Sequence, residues 1–376
     1  MRFEVSFGIM QSKVRVEVVA KGLEVPWAIA FAPAGFFSLG GKNPPSSRDL
    51  EKKILDGRII LTERPGRVRV IEKGQLRPKP LAVIPDCVHR GEGGLMGLTL
   101  HPQFARNRWL YLAYLYEQRG LKVKVVRYRE TGDALVEPKV IIEGIQGHAV
   151  HDGCALGFGP DGKLYITTGD AAQRELAQRL DRLEGKTLRL NDDGSIPPDN
   201  PFVKRANARP EIWSYGHRNA QGMDWQPGTG LMFQTEHGPS GFDGPGGGDE
   251  VNIVERGKNY GWPLIHHRQR AAGLESPLLE YTPAVAPGGA AFYKGNRFPQ
   301  WQGNFFFACL RGERLIRVVL KGRTVVQEEH LLQGEYGRLR AVAYGPDGYL
   351  YVSTSNRDGR GRPHADDDRI LRIAPG

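Results

Sequence analysis

Two arginines near the end of the chain are spaced to bind an anion. Arg338 and Arg340 are two residues apart in a strand-like segment, so their side chains point to the same face. Two cations on one face repel each other unless an anion lies between them, and guanidinium groups pair well with carboxylates. The formal net charge of +10 agrees with a small anionic ligand. The basic residues are scattered, which argues against nucleic-acid binding.

Other polar residues that could do chemistry stand just before or just after apolar, strand-like segments. They are Glu92, His151, Asp170, Arg218, Asn219, His237, Gly238 and Arg311. Histidine is suited to general base catalysis because it titrates near neutral pH. A structural histidine at position 151 is the alternative, and His148 is the rival base. These residues can act together in one site only if the ends of their strands lie close together in the fold.

A repeated unit of two short strands joined by a Pro-Asp-Gly turn predicts how the polar residues are positioned. Clear copies begin near 153 and 340, a broken copy begins at 27, and weaker copies begin at 95, 221 and 288. Six such units with no helix between their strands predict an all-β, six-bladed β-propeller with four antiparallel strands per blade. An irregular β-sandwich is the alternative, but its strands do not recur with one turn tripeptide. Each first strand leaves one rim and the second returns to it, so the polar set shares that rim.

The chain ends predict how the ring of blades closes. The last unit has three candidate strands, and residues 14–19 can supply the fourth, which removes an open sheet edge. Residues 35–55 form a loop insertion in the first blade, at the opposite rim. A helical pattern of leucines is clear only at 171–188. We expect one domain spanning 1–376.

The sequence argues against three classes of feature. Cys87, Cys154 and Cys309 are far apart and form no Cys-x-x-Cys pair, which argues against a disulfide framework and a zinc site. No run of 18 apolar residues predicts a membrane span. The first residues lack the apolar core and cleavage site of a signal peptide.

Six short motifs occur in an order typical of one enzyme family. They are Gly216-His-Arg-Asn-Ala-Gln-Gly222, Glu236-His-Gly-Pro239, Asp249-Glu250, Asn259-Tyr-Gly-Trp-Pro263, Gly337-Arg-Leu-Arg340 and Ser355-Asn-Arg-Asp-Gly-Arg360. From about Pro26 to Arg372 the chain resembles the soluble glucose/sorbosone dehydrogenase family, of the aldose sugar dehydrogenase type. The resemblance implies a propeller that uses pyrroloquinoline quinone (PQQ) and calcium to oxidise the anomeric carbon of aldoses to lactones. It also implies a periplasmic or secreted monomer or homodimer with an external electron acceptor.

The resemblance assigns roles residue by residue. His151 takes the place of the general base, Asp170 that of the carboxylate that orients it, and Arg218 that of the cation at the quinone oxygens. The PQQ contacts fall on Glu92, His151, Arg218, Asn219, Gln221, Arg311, Arg338 and Arg340. Arg311 stands where the family usually has lysine, and Glu92 where the best-known glucose oxidiser has glutamine.

Calcium ligands and sugar contacts also follow from the resemblance. One calcium is implied at the backbone carbonyls of Gly238 and Pro239, and a second at Glu250 and the carbonyl of Tyr260. Sugar contacts are implied at Tyr281, Thr282 and Ala284. A calcium-dependent propeller lactonase or esterase, or a non-catalytic binding propeller, remains the alternative. The hydrolase would not need two arginines on one strand in addition to Arg311, Arg218 and Asn219, and the binding propeller predicts no tightly bound small anion in the channel.

Overall fold

The computed structural model describes residues 13–32 and 57–376, and the regular structure there is almost entirely β. Six antiparallel sheets form a six-bladed β-propeller, as predicted. The predicted insertion at 35–55 lies outside the described residues. Among the described residues, no helix is long and apolar enough to cross a bilayer.

Each blade is a sheet that takes its strands in chain order from the axis outwards, except that the outer strand of the last blade comes from the start of the chain. Blade 1 contains β2 (Pro26–Ala32), β3 (Arg58–Glu63), β4 (Arg67–Glu72) and β5 (Gln75–Leu76), and β6 (Ala82–Val83) also pairs with β4. Blade 2 contains β7 (Leu95–Leu100), β8 (Trp109–Glu117), β9 (Leu121–Glu130) and β10 (Leu135–Gln146). Blade 3 contains β11 (Gly153–Phe158), β12 (Leu164–Thr168), β13 (Lys186–Leu190) and β14 (Ile212–Tyr215).

The second half of the ring repeats this plan. Blade 4 contains β15 (Ala220–Trp225), β16 (Met232–Glu236), β17 (Asp249–Val254) and β18 (Leu279–Tyr281). Blade 5 contains β19 (Pro287–Phe292), β20 (Phe305–Cys309), β21 (Arg314–Lys321) and β22 (Thr324–Leu331). Blade 6 contains β23 (Leu339–Tyr344), β24 (Leu350–Thr354), β25 (Ile370–Pro375) and β1 (Val14–Ala20). The helical elements described are α1 (Phe104–Asn107) and two 3-10 turns, Arg174–Gln178 and Pro299–Trp301.

The N-terminal strand closes the ring, as the sequence predicted. β1 runs antiparallel to β25, with Val14 opposite Pro375 and Val18 opposite Leu371. The last blade therefore gains its outer strand from the other end of the chain. Backbone groups that an open edge would expose are paired instead.

The core lies between the blades. Among the described residues, six apolar clusters occupy the six interfaces between neighbouring blades. Near the axis, glycines let adjacent inner strands approach closely. A Cβ on Gly97 would lie 2.1 Å from the carbonyl oxygen of Cys154, and one on Gly288 would lie 2.2 Å from that of Arg340. Blade packing thus fixes the inner strands whose ends carry the polar residues.

The hairpin register confirms that the polar residues share one rim. Gly153 pairs with Thr168, Ala220 with Glu236, and Pro287 with Cys309. The residues just before each inner strand and just after its partner therefore lie at the same end of the blade.

The predicted helix at 171–188 is wrong. The segment holds one 3-10 turn, Arg174–Gln178, and then enters β13, whose Thr187 pairs with Thr167. Leu176 and Leu183 are buried in the fold without a helix. These leucines pack into the core from a loop. The pairing of β13 with β12 overrides the helical spacing of the leucines.

Candidate active site

A polar cavity of about 390 Å³ lies at the shared rim. Seven of the residues predicted as PQQ contacts or calcium ligands line it: Glu92, Gln221, Gly238, Pro239, Arg311, Arg338 and Arg340. The wall carries five arginines and three carboxylates, so its fixed charge favours an anion. The additional arginines are Arg64 and Arg360.

The arginine pair already has an acidic partner within the protein. Oδ2 of Asp358 accepts a hydrogen bond from Nε of Arg338 at 2.8 Å and lies 3.6 Å from Nη2 of Arg340. Burial lowers the pKa of Arg340 to about 10. Burial alone would raise the pKa of Asp358, but the charges of Arg340 and Arg338 outweigh it and hold that pKa below its ordinary value. The expected external anion is therefore not the only counter-charge for these arginines.

His151 is oriented by a buried carboxylate. Its Nδ1 is 2.9 Å from Oδ1 of Asp170, and both side chains are buried. Asp170 is fixed in turn by Nε1 of Trp262, which donates to Oδ2 at 2.9 Å, and by the amide of Ala172. Among the described residues, no group hydrogen-bonds Nε2 of His151. With Nδ1 donating to Asp170, Nε2 carries the lone pair that can accept a proton.

The backbone around His151 is tightly constrained. His151 has a φ of +62°, which is uncommon for a residue other than glycine. A Cβ on Gly169 would lie 1.8 Å from the carbonyl oxygen of His151, so only glycine fits there. By contrast, His148 is exposed, and within the described part of the chain only its amide is bonded, to Oδ1 of Asp152. The geometry favours His151 over His148 as the base.

Arg218 and Asn219 lie beside this pair, between blades 3 and 4. The amide of Asp170 donates to the carbonyl of Arg218, and Oδ1 of Asn219 accepts from the amide of Gly153. His217, which precedes them, is bonded to Glu236 at 2.9 Å and stacks on a tyrosine ring. The buried Nδ2 of Asn219 has no hydrogen-bond partner among the described residues. An unpaired buried donor costs free energy, so a ligand oxygen at this position would relieve that cost.

A glycine-rich segment, residues 240–248, separates His151 from the arginine-lined cavity; we term it the rim loop. Asp243 accepts from Nε of Arg218 at 2.7 Å, and Oγ of Ser240 accepts from Nη2 at 3.0 Å. The ring of Phe242 stacks on the imidazole of His151 with their centroids 5.6 Å apart. His151, Asp170 and Arg218 consequently adjoin the cavity without forming its wall.

The matching family model connects this arrangement to known proteins. A family described as Glucose / Sorbosone dehydrogenase matches residues 48–371. The chain belongs to the glucose/sorbosone dehydrogenase family. Membership places the protein among oxidoreductases that act on sugar CH–OH groups.

Three relatives in this family are similar over nearly the whole chain. Aldose sugar dehydrogenase YliI of Escherichia coli K12 is 35% identical, with 96% of this chain and 93% of that protein covered. The crystal structure of a putative oxidoreductase (glucose dehydrogenase) from Thermus thermophilus is 43% identical, with a TM-score of 0.84 and coverage of 96% and 99%. The PQQ-bound aldose sugar dehydrogenase of Streptomyces coelicolor is 32% identical, with a TM-score of 0.77 and coverage of 96% and 98%.

The two calcium positions implied by the family differ in what the structure offers. Pro239 presents a carbonyl that accepts one hydrogen bond, from the amide of Gly247, and the neighbouring Gly238 carbonyl has no partner among the described residues. In blade 4, Glu236, Glu250 and Glu280 lie opposite one another on three adjacent strands. Burial and the charge of Glu236 raise the pKa of Glu250 well above its ordinary value. A cation would offset that repulsion.

Tyr260 can serve such a cation only through its backbone. Its hydroxyl donates to the carbonyl of Ile253 at 2.6 Å, and its ring stacks on His217. The carbonyl of Tyr260 has no partner among the described residues.

A second acidic group could be mistaken for a metal site. His151, Asp170 and Asp243 bring potential ligand atoms within 4.8 Å of one another. However, Arg218 donates to Asp243, so a guanidinium already supplies the counter-charge.

The implied sugar contacts are only partly at the cavity. Ala284 lines it, whereas the hydroxyl of Tyr281 donates to Glu328 in blade 5 at 2.6 Å. Thr282 instead accepts from the amide of Gly248 at 2.9 Å and so holds the base of the rim loop.

Sequence analysis missed several residues of the site. Arg64, which lines the cavity and donates to the carbonyl of Asp358, directly follows the second strand of blade 1 and obeys the same positional rule as Arg311. Arg360 forms an ion pair with Glu92 at 2.8 Å, which balances the charge that glutamate adds there. Asp358 and Arg360 lie within the motif Ser355-Asn-Arg-Asp-Gly-Arg360. Their spacing in the sequence does not predict which charged residues they pair with.

Proposed function

We propose that this protein is a PQQ-dependent aldose dehydrogenase that oxidises the anomeric carbon of aldoses, such as glucose, to lactones. The observation that carries the proposal is the buried His151–Asp170 pair beside a cavity walled by five arginines. A lactonase would not require so many cations at its substrate site.

The residues present fit an anionic quinone. PQQ has three carboxylates, and Arg311, Arg338 and Arg340 offer guanidinium groups on the cavity wall. Asn219 adds a buried amide donor with no protein partner among the described residues. The PQQ-bound relative from Streptomyces coelicolor supports this assignment.

The residues of this chain divide the chemistry as follows. Nε2 of His151 takes the proton of the anomeric hydroxyl, and Asp170 stabilises the imidazolium that forms. When bound, PQQ supplies the acceptor for the hydride that leaves the anomeric carbon. Arg218 and Asn219 place donors where negative charge develops on a ligand oxygen. An external electron acceptor must then regenerate the oxidised cofactor.

Calcium would be held by backbone and carboxylate oxygens. The carbonyls of Gly238 and Pro239 are at the cavity wall and suit a hard cation. A second ion fits Glu250 and the carbonyl of Tyr260, where blade 4 concentrates negative charge.

Reconstitution tests the proposal directly. PQQ and calcium are added to the purified apoprotein, and reduction of an artificial dye is followed with glucose. Dye reduction that needs both additions, and that sorbitol does not support because it has no anomeric carbon, is the expected result. Lactone hydrolysis without PQQ, together with no dye reduction, would establish the lactonase alternative.

A further inference from the structure

Phe242, at the tip of the rim loop, has no role in the folding of the propeller core. Its side chain is 66% exposed, although phenylalanine usually buries its ring. It nevertheless lies beside the proposed base, with its ring tilted by 27° from the imidazole plane of His151. Phe242 lines a second cavity of about 500 Å³ together with Asp170 and Asp243, and an exposed aromatic side chain at a cavity is a feature of ligand sites.

The rim loop holds Phe242 in this place from both sides. Ser240 and Asp243 both accept hydrogen bonds from the guanidinium of Arg218. The backbone carbonyl of Asp243 also accepts from Nη1 of Arg174 at 3.2 Å. Phe242 is therefore fixed to Arg218 through its neighbours on either side, even though its own ring is exposed.

The imidazole of His151 is buried beneath this ring, with 5% of its side chain exposed, and no group among the described residues hydrogen-bonds its Nε2. Stacking covers one face of the imidazole, whereas the lone pair of Nε2 lies in the plane of that ring. A sugar whose anomeric hydroxyl reaches Nε2 must lie alongside the phenyl ring. The C–H face of a pyranose is apolar and packs well on an aromatic face, while its hydroxyl groups can turn toward polar residues that line the same cavity as Phe242, such as Gln173 and Glu175.

Resting on the proposed function, we propose that Phe242 is a specificity-determining residue that forms the apolar wall against which the substrate's pyranose ring packs. The rim loop carries the phenyl ring. The hydrogen bonds between this loop and Arg218 set the distance of the ring from His151. Phe242 is assigned to the sugar and not to the cofactor.

Kinetics of the reconstituted holoenzyme test this assignment. Phe242→Ala should raise the KM for glucose about tenfold while kcat changes less than about threefold, because a stacking contact made equally in the ground and transition states alters binding alone. Phe242→Tyr should restore a KM near that of the unaltered protein. Val326→Ala, which truncates an exposed side chain on β22 in blade 5, is the matched control and should change neither constant.

A second measurement separates sugar from cofactor. PQQ titrated into each apoprotein, followed by quenching of tryptophan fluorescence, should give the same affinity for all three variants. An unchanged KM in Phe242→Ala overturns the assignment, and so does a parallel loss of PQQ affinity, which would place the ring against the cofactor. If the unaltered protein oxidises no aldose at all, the proposed function has failed and the assignment fails with it.

Discussion

The orientation of His151, the proposed base, depends on contacts made by residues far apart in the chain. Asp170 orients the imidazole, Trp262 fixes Asp170, and Gly169 leaves room for the strained backbone. Each group has one clear task, so single substitutions can separate base catalysis from cofactor binding.

His151→Ala should lower turnover by roughly 100- to 10,000-fold, the range for a positioned general base. PQQ should still bind, because the arginines of the cavity are untouched. His148→Ala is the control, since that side chain is exposed. Dye reduction and PQQ titration on both variants make the comparison, and a larger loss in His148→Ala would identify the other histidine as the base.

Asp152, the next residue, should make stability depend on pH. Its Oδ2 is buried without a partner among the described residues, and burial raises its pKa from 3.8 to about 8. The folded protein therefore keeps a proton that the unfolded chain loses above pH 4, and stability falls as pH rises toward 8. Asp152→Asn removes this loss.

Urea unfolding at pH 5 and pH 8 measures the effect. The variant should gain stability relative to the unaltered protein by on the order of 4 kcal/mol between these pH values, at about 1.4 kcal/mol for each pH unit. A difference that is constant with pH would show that Asp152 is ionised in the folded protein.

At the scale of elements, the start of β23 and the loop after β24 form one charged unit. Arg340 comes from the strand, Arg338 from the position just before it, and Asp358 from the loop. The carboxylate holds the arginines in place, but with Arg64 and Arg360 nearby, the cavity wall keeps an excess of positive charge.

Replacing both Arg338 and Arg340 with alanine should abolish PQQ binding while the propeller stays folded. The cavity loses two of its five arginines, whereas the apolar interfaces between blades are unchanged. Titration calorimetry measures the affinity, and a thermal melt checks folding. Arg129→Ala, which removes an exposed arginine paired with Glu137 on blade 2, serves as the control. Unchanged PQQ affinity in the double variant would rule out this cavity as the cofactor site.

At the scale of the whole molecule, the candidate site and the attachment of residues 35–55 lie at opposite rims of the propeller. Pro26 pairs with Glu63 at the rim that carries the site, and Ala32 pairs with Arg58 at the opposite end of the same hairpin. Residues 35–55 belong to the segment that connects Ala32 to Arg58. That segment is therefore attached at the rim opposite the one that carries His151.

Replacing residues 35–55 with a short turn should leave turnover within about threefold, because loop-closure free energy varies slowly with length. Steady-state oxidation with a small-molecule acceptor is the measurement. A large loss of turnover in a variant that melts like the unaltered protein would mean that the segment reaches the site rim.

The sequence by itself determined the architecture and the membership of the rim. Turn tripeptides and strand patterns are local, and strand polarity then assigns polar residues such as His151, Arg311 and Arg340 to one end of the blades. The closing strand was predictable because an unpaired edge is costly wherever the chain ends. The same positional rule covers Arg64, which directly follows the second strand of blade 1.

Only the tertiary structure decided the partners. Three contacts join loops: Asp358 with the arginine pair, Arg360 with Glu92, and Phe242 with His151. The conformations of these loops do not follow from a hydrophobic period or a turn type in the sequence. The segment 171–188 shows the same limit, since pairing with β12 overrode its helical spacing. The packing of the closed ring determines which side chains meet across blades. These contacts depend on the relative positions of the blades, which cannot be read from the order of residues in the chain.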